Sequence, residues 1–410
     1  MKRGFLSIAA VVSAAACFAG CSETSVIDST TSSGEAPVPA QSIGIVIGGD
    51  SPEYRLTDET MISTLKESAT GVNALNSSLI DVVSGNNQKS AMVSGFSAYS
   101  CLSSAAKYIR GNSKEQINNA LGVIDTDALD YFKTHMPIET GTLFLIDDDT
   151  VLNAAKSDDF VFRDLQSGDI VDYVNTFTAE KTHNLVPQLI SMPFSSDCRA
   201  VVLDTLYFKG SWEHEFPKEA TKKQTFHGLS GDVETDFMHT THDYGVNVDD
   251  SIIELRYKNS DLVMDICYDT NGSAADAFDK YVSNLDSLNS GLDYSYDVNL
   301  AMPKFETESN MSVVEAYESL GMTDMFNPAC SEDFSMLADD IYISDIKQKT
   351  KIIVDEEGTE AAAVTMIAMS DSCAVSESKV LDIIIDKPFA YAIRDRKTNI
   401  ILFAGYVNDF

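Results

Sequence analysis

Three groupings in this 410-residue chain carry side chains that could do chemistry. Gly49-Asp50-Ser51 has the form of a tripeptide around a serine nucleophile. Such a serine needs a histidine base and an acid to orient it. No His precedes it and it lies ahead of any core-forming run, so it reads as a turn. His239 and His242 form an HxxH spacing that could put two imidazoles on one helix face. The Glu general base of HExxH is missing and no Cys is near, so they read as solvated turn residues. Asp147, Asp148 and Asp149 could attract Ca²⁺, but the run lacks the alternating ligands and glycine of an EF-hand loop and reads as an acidic loop. CxxC, GxGxxG and GxxxxGK[ST] are all missing, which removes redox-dithiol, dinucleotide and P-loop chemistry. The expectation is a protein that is not an enzyme and needs no cofactor or metal.

The informative stretch is Asp355 to Cys373, which follows a strand-like run ending at Val354. Gly358 can act as a hinge because it tolerates backbone angles closed to other residues. Beyond it Thr359, Ala361, Ala363, Thr365, Ile367 and Met369 share one face if the segment is extended, and Glu360, Ala362, Val364, Met366, Ala368 and Ser370 share the other. The first face is small near the hinge and uncharged throughout. No proline interrupts it, so every backbone N–H can join a ladder. The segment can be a loop in one state and a strand in another. An Ala-rich run is also often a helix or a linker, and on composition alone that is the favoured reading.

The elements that must position this segment form one domain. Thr57–Val83, Ser97–Tyr108 and Ser113–Leu121 read as helices, the last with a capping box from Ser113 and Gln116 and a stop at Gly122. Ala200–Phe208, Ser251–Tyr257, Leu262–Tyr268, Asp297–Pro303, Ile341–Val354, Lys379–Ile385, Phe389–Arg394 and Asn399–Val407 read as strands, with a helix at Met311–Leu320. Helices come early and strands late, which predicts an α+β fold with large mixed or antiparallel sheets.

Composition narrows the partners. With 63 acidic and 29 basic residues the net charge is −34. That disfavours nucleic acid, heparin-like polymers and anionic membrane surfaces. No later run has the roughly 18 apolar residues of a spanning helix. Lys2-Arg3, the apolar run Phe5 to Phe18 and the small Ala19-Gly20 read as a signal peptide over residues 1–20. Cys21 follows directly, a pattern that resembles the lipobox of bacterial lipoproteins. Lipidation of Cys21 and a cell-surface or extracellular location are expected, with the membrane met only through that lipid. Residues 21–51, rich in Ser, Thr and Pro, read as a tether. Of seven cysteines, Cys17 falls in the leader and Cys21 is the expected lipidation site; those at 101, 198, 267, 330 and 373 remain, and free, mostly buried thiols are expected, with Cys373 exposed.

Glu356, Glu357, Gly358, Thr359, Glu360, Ala361, Ala362 and Ala363 closely resemble the hinge of the serpins, serine protease inhibitors with a mobile reactive-centre loop. Further resemblances follow in family order: Met92 to Ser97 opens helix B, Leu206 to Trp212 matches the YFKGxW strand, and Ala301 to Phe305 matches xPKF. Leu320 to Phe326 matches the LGxxDxF turn, and Lys387-Pro388-Phe389 and Phe403-Ala404-Gly405 match the C-terminal strands. The resemblance covers residues 52–410, with the loop at about 355–387, and implies the serpin fold and a suicide-substrate mechanism. A serine protease attacks the loop, and the cleaved loop inserts into the main sheet before the acyl-enzyme hydrolyses. Family spacing from Glu356, about seventeen residues inclusive, implies a cleaved bond at Ser372–Cys373, with Met369–Ser370 as the alternative. A small uncharged residue there suits elastase-like or subtilisin-like proteases, and a monomer is expected. Trp212 resembles the residue where the loop first enters the sheet. Ser94, Ser97, Asp204 and Gln348 fall in the family's shutter, where Asn and His usually stand at the last two places, and Gln348 could donate to Asp204. Gly95 stands where Pro is usual. Other readings are a non-inhibitory binding protein of the same fold, or an inhibitor of papain-like cysteine proteases.

Overall fold

The computed structural model describes residues 53–86, 89–153, 160–196, 198–268, 273–343, 345–359 and 379–410. The leader, the tether, Gly49-Asp50-Ser51 and loop residues 360–378 lie outside them. The helices are α1 Glu59–Gly85, α2 Gly95–Ala106, α3 Gly111–Leu121, α4 Thr126–His135, α5 Asp169–Lys181, α6 Ala274–Ser283, α7 Leu285–Gly291 and α8 Val314–Ser319. The strands are β1 Ser90–Val93, β2 Ile138–Asp147, β3 Phe160–Arg163, β4 Ala200–Phe208, β5 Gly210–Ser211, β6 Lys222–Gly228, β7 Gly231–His242, β8 Gly245–Asn247 and β9 Ile252–Arg256. They continue as β10 Leu262–Cys267, β11 Tyr296–Pro303, β12 Phe305–Ser312, β13 Lys347–Val354, β14 Gly358–Thr359, β15 Lys379–Ile384, β16 Phe389–Asp395 and β17 Ile401–Val407. The α+β expectation holds. None of the described helices is long and apolar enough to cross a membrane.

A six-stranded sheet in the order β1-β17-β16-β10-β9-β8 forms the back of the molecule. Every residue of β16 and β17 is buried. Strands covered on both faces need near-continuous apolar sequence, and FAYAIRD and ILFAGYV supply it. A four-stranded sheet, β15-β11-β7-β6, lies at one end. The front comes as two ladders, β3-β2-β4 and β12-β13-β14-β5. Helix α1 presents Leu65, Val72, Leu75 and Leu79 to the core at helical spacing, and Asp58 caps it by accepting from the Thr60 and Met61 amides at 2.9 and 3.1 Å.

Helix α2 lies against α1 because of Gly95. A Cβ there would meet the Val72 carbonyl oxygen at 2.5 Å, and the Gly95 amide donates to Asn76 Oδ1 at 2.7 Å. A proline would clash and lose that donor, so the sequence departure at 95 belongs to a helix contact.

Several expected boundaries need correction. α3 begins at Gly111, not Ser113, and the Ser113–Gln116 capping box does not form. The Asp333 carboxylate, far along the chain, accepts from the Ser113 amide at 2.9 Å instead. Gln116 Oε1 accepts from Thr323 and Asp324 amides at 3.0 and 2.9 Å. Among the described residues of the expected strand at 341–354, only Lys347–Val354 forms a strand. The helix expected from Met311 starts at Val314, because Met311 and Ser312 still pair with β13. His239 and His242 are strand residues of β7, paired with Ala301 and Val298, not turn residues. Three apart on a strand they point to opposite faces, so they cannot chelate together. His242 stacks on His214 at 4.2 Å. Asp147 is the buried end of β2 rather than loop, with Arg199 3.6 Å from its carboxylate. Cys101 and Cys267 are buried free thiols, as expected, and Cys330 is a half-buried one.

Candidate functional site

The hinge sits at the top of the front sheet, built from a tight reversal after β13. The Asp355 amide donates to the Gly358 carbonyl at 3.0 Å, and Asp355 Oδ1 accepts from the Glu357 amide at 2.9 Å. Gly358 is needed by close approach: a Cβ would meet the Gly210 carbonyl oxygen at 2.1 Å. Val354 then faces Thr359 on one side, and Gly358 and Thr359 face Ser211 and Gly210 on the other. The hinge is therefore already a two-residue strand between β13 and the continuation of β4. The expected loop at 355–387 accordingly has strand at Gly358–Thr359 and again at Lys379–Ile384.

Trp212, the single tryptophan, holds this hinge. Its Nε1 donates to the Asp355 carbonyl at 3.0 Å and its amide donates to the Glu357 carbonyl at 2.9 Å. The indole stacks on Tyr257 at 4.7 Å, and the Tyr257 hydroxyl shares a 2.6 Å hydrogen bond with Thr359 Oγ1. Thr359 is only 3% exposed. Glu356 is anchored too: Lys304 Nζ lies 2.7 Å from Oε2, and Thr221 Oγ1 donates to Oε1 at 2.8 Å. Burial pushes that carboxyl up, but the bonds from Lys304 and Thr221 outweigh it and hold it below the usual glutamate range. Lys218 pairs with Glu357.

Below the hinge lies a slot. β4 is laddered only to β2, and β13 only to β12 and the hinge; among the described residues no ladder joins β4 to β13. Val201 and Leu203 of β4 turn outward onto α5, in a cluster with Ile170 and Val174. Ala200, Val202 and Leu206 turn inward and are only half-buried, although they pack on the main core. Half-burial of inward residues is what an open edge produces.

Asp204 and Gln348 face the core in this slot. Asp204 accepts from Ser97 Oγ at 3.0 Å and from Thr142 Oγ1 at 2.7 Å. Gln348 commits both ends of its amide to Ser94, accepting from its amide at 2.9 Å and donating to its carbonyl at 2.8 Å. Ser94 Oγ donates to Leu402 in the back sheet at 2.7 Å and caps α2 through the Ser97 amide. The bond considered between Gln348 and Asp204 does not form among the described residues. Each of the two is satisfied by α2 or β2, on its own side of the slot. Burial pushes the Asp204 carboxyl up to about 6, with Lys133 and the hydroxyl bonds opposing. At the foot of the slot a small apolar cavity is lined by Cys101, Phe144, Val202, Ile341 and Ile346.

The structure thus brings Glu356, Glu357, Gly358, Thr359 and Trp212 together at the top, and Ser94, Ser97, Asp204 and Gln348 below. Glu360, Ala361, Ala362, Ala363, Met369, Ser370, Ser372, Cys373 and Cys21 lie outside the described residues. Sequence reasoning missed Tyr257, Thr221, Thr142 and Lys218. Lys304 stood in a quoted motif, but its charge was not used.

A family model described as "Serpin (serine protease inhibitor)" matches residues 151–410. The chain belongs to the serpin family. An uncharacterized serpin-like protein of Methanosarcina mazei is 32% identical over 244 residues, covering 58% of this chain and 56% of that protein. Iripin-8 of Ixodes ricinus is 28% identical over 247 residues, covering 58% and 61%. The match therefore spans less than two thirds of these relatives. Among solved structures, the thermophilic serpin tengpin in the native state has a TM-score of 0.74 at 22% identity, covering 87% of this chain and 96% of that one. A cleaved serpin 42Da has 0.70 at 21%, covering 84% and 99%. At these identities the likeness shows the fold.

Proposed function

We propose that this protein inhibits serine proteases of elastase-like or subtilisin-like type by inserting its cleaved loop into the slot between β4 and β13. The observation that carries the reading is the half-made strand: the hinge is laddered on both sides, and beneath it no ladder joins the two edges among the described residues. Each edge offers unpaired backbone groups, whose pairing contributes roughly 1 kcal/mol per bond.

The register supports it. Thr359 pairs with Val354 and with Gly210. Counting inward two residues at a time, Ala361 falls between Ile352 and Phe208, and Ala363 between Thr350 and Leu206. Thr365 falls between Gln348 and Asp204, and Ile367 between Ile346 and Val202, which line the apolar cavity. Small residues meet the crowded top, a hydroxyl meets the polar middle, and an apolar side chain meets the apolar foot. In the reaction the protease serine adds to the loop carbonyl, the peptide bond breaks, the new N-terminus departs, and an ester remains. Insertion then carries the ester and its protease away from the attack site.

The test is incubation of the purified protein with pancreatic elastase, neutrophil elastase, subtilisin, chymotrypsin and trypsin. A complex that survives denaturing electrophoresis with an elastase or subtilisin, and a released peptide beginning at Cys373, is expected. Clean cleavage by all five without a complex contradicts the reading and moves it to a non-inhibitory binder. The lipobox-like sequence supports the companion proposal that Cys21 carries lipid at the cell surface. Incorporation of labelled palmitate that is lost in Cys21→Ala tests it.

A further inference from the structure

The acidic run at the end of β2 plays no part in the insertion reading, and its geometry is not that of a solvated loop. Asp147 is 2% exposed, while Asp148 and Asp149 are exposed. One carboxylate oxygen from each of the three lies within 4.8 Å of the others. Two oxygens bound to one Ca²⁺, each at about 2.3–2.6 Å, can be at most about 5 Å apart, so a single ion could reach all three. The backbone builds the turn. The Asp147 amide donates to the Arg199 carbonyl at 2.9 Å and the Asp148 amide to the Arg163 carbonyl at 3.1 Å. These bonds tie the end of β2 to the end of β3 and to the residue before β4. The Thr150 amide donates to the Asp147 carbonyl at 2.9 Å, and the Asp149 amide to Asp147 Oδ1 at 3.2 Å, so the Asp147 carboxylate is turned into the cluster.

Two oxygens of this turn are left over. Among the described residues, Asp147 Oδ2 and Thr150 Oγ1 are buried and without a hydrogen-bond partner. A buried carboxylate oxygen with no donor is costly, and such an oxygen is normally met by a water or an ion. The nearby cations do not answer it. Arg199 lies 3.6 Å from Oδ1, beyond hydrogen-bond length, and is half-exposed. The Arg163 guanidinium sits over the Tyr173 ring at 4.7 Å and donates to the Phe162 carbonyl instead. Three carboxylates against one guanidinium leave two negative charges, which one divalent cation cancels. Donors that are all oxygen suit Ca²⁺ rather than Zn²⁺, and carboxylates on an exposed turn suit its flexible coordination better than the strict octahedron of Mg²⁺.

We propose that Asp147, Asp148, Asp149 and Thr150 hold a calcium ion that staples the ends of β2, β3 and β4 at the foot of the front sheet. Asp147 Oδ2 is the buried ligand, Asp148 and Asp149 are the outer carboxylates, Thr150 Oγ1 adds a hydroxyl, and water fills the remaining positions. The ligands are consecutive, which is why the spacing of an EF-hand loop does not find them. On an exposed turn the affinity expected is that of extracellular calcium modules, a Kd of about 0.1–1 mM.

The experiment uses the whole protein, stripped with a chelator, and adds CaCl₂, MgCl₂ or NaCl at matched ionic strength. Melting temperature and calorimetric titration are read. Wild type is expected to gain about 2–4 °C at about 10 mM Ca²⁺, less in Mg²⁺ and nothing in Na⁺. The chain is strongly acidic, so Ca²⁺ also screens its charge in general, and the variants decide. Asp148→Asn combined with Asp149→Asn, both at exposed positions, should not lower the metal-free melting temperature. It should lose the Ca²⁺-specific gain, with the calorimetric affinity down about tenfold or more. Thr150→Val keeps every charge and should weaken binding several-fold. A wild-type gain no larger in Ca²⁺ than in Mg²⁺ or Na⁺ overturns the site. So does a Ca²⁺-specific gain that the double variant retains, because the ion then binds elsewhere.

Discussion

Strands β16 and β17 at the back have a ladder on both sides and no exposed residue, whereas β4 and β13 at the front each have, among the described residues, one laddered side and one side with no ladder below the hinge. The polar chemistry differs in the same way. In the back sheet Arg394 is fully buried and answered in place: it bonds Asp265, and its Nη2 reaches Glu254 Oε2 at 3.3 Å and Asn289 Oδ1 at 3.0 Å. Tyr281 adds a 2.7 Å bond to Asp265, and Arg396 lies 3.0 Å from Glu254. In the front sheet Asp204 has the Ser97 and Thr142 hydroxyls and the longer-range charge of Lys133, but no salt bridge among the described residues. The back is a finished frame. The front is unfinished among the described residues, with a two-residue strand at the hinge, and under the proposed insertion this incompleteness is where free energy for a later rearrangement would be stored.

The largest expected effect is at the start of that strand. Thr359→Arg would put a guanidinium at a position 3% exposed, against Tyr257 and the Gly210 backbone. Burying that charge alone costs several kcal/mol. The variant should be cleaved as a substrate, with the covalent complex reduced about a hundredfold on a denaturing gel. Normal trapping by this variant would break the contrast between frame and front.

The frame has its own test. Arg394→Met leaves Glu254 and Asp265 buried without their cation and should cost about 3–5 kcal/mol in chemical denaturation. The hinge should be unaffected, so trapping by the folded fraction should persist.

A smaller effect is expected from Asp204→Asn on stability. The native carboxyl lies above the ordinary 3.8, near 6. A raised carboxyl contributes stability below its unfolded value and loses that contribution as pH rises through the native one. Wild type should therefore lose stability relative to Asp204→Asn between about pH 4 and 6, by about 1–3 kcal/mol at pH 7. Asp395 also lies near 6, so the difference between the two proteins, not the wild-type curve, is the quantity to read. The smallest effect is at the hinge anchor. Lys304→Ala leaves the buried Glu356 with Thr221 alone and should cost about 1–2 kcal/mol, with the Glu356 carboxyl moving upward by NMR.

Sequence reading reached the frame well where the signal was local. The β16 and β17 runs, the Ala200–Phe208 strand and the α1 face follow from apolar patterns that each segment carries by itself. It failed where the partner was distant. Ser113 looked like a cap because Asp333, more than two hundred residues on, was invisible to a local rule. The hinge was legible as small residues after a glycine. That it starts paired was not, because pairing depends on Tyr257, Thr221 and Gly210, drawn from three other segments. Asp204 and Gln348 were legible by position, but their bonds to Ser97, Thr142 and Ser94 join segments that lie far apart in the chain.

Hydrogen exchange at the slot edges tests the central claim most directly. Alternate amides of β4 and β13 point into the gap, while their neighbours bond β2 and β12. Exchange is measured before and after a single cut in the loop by a non-target protease. Slowed exchange at gap-facing amides along 200–208 and 347–354, with β16 and β17 unchanged, is the predicted result. Unchanged exchange at those edges after cleavage would contradict it.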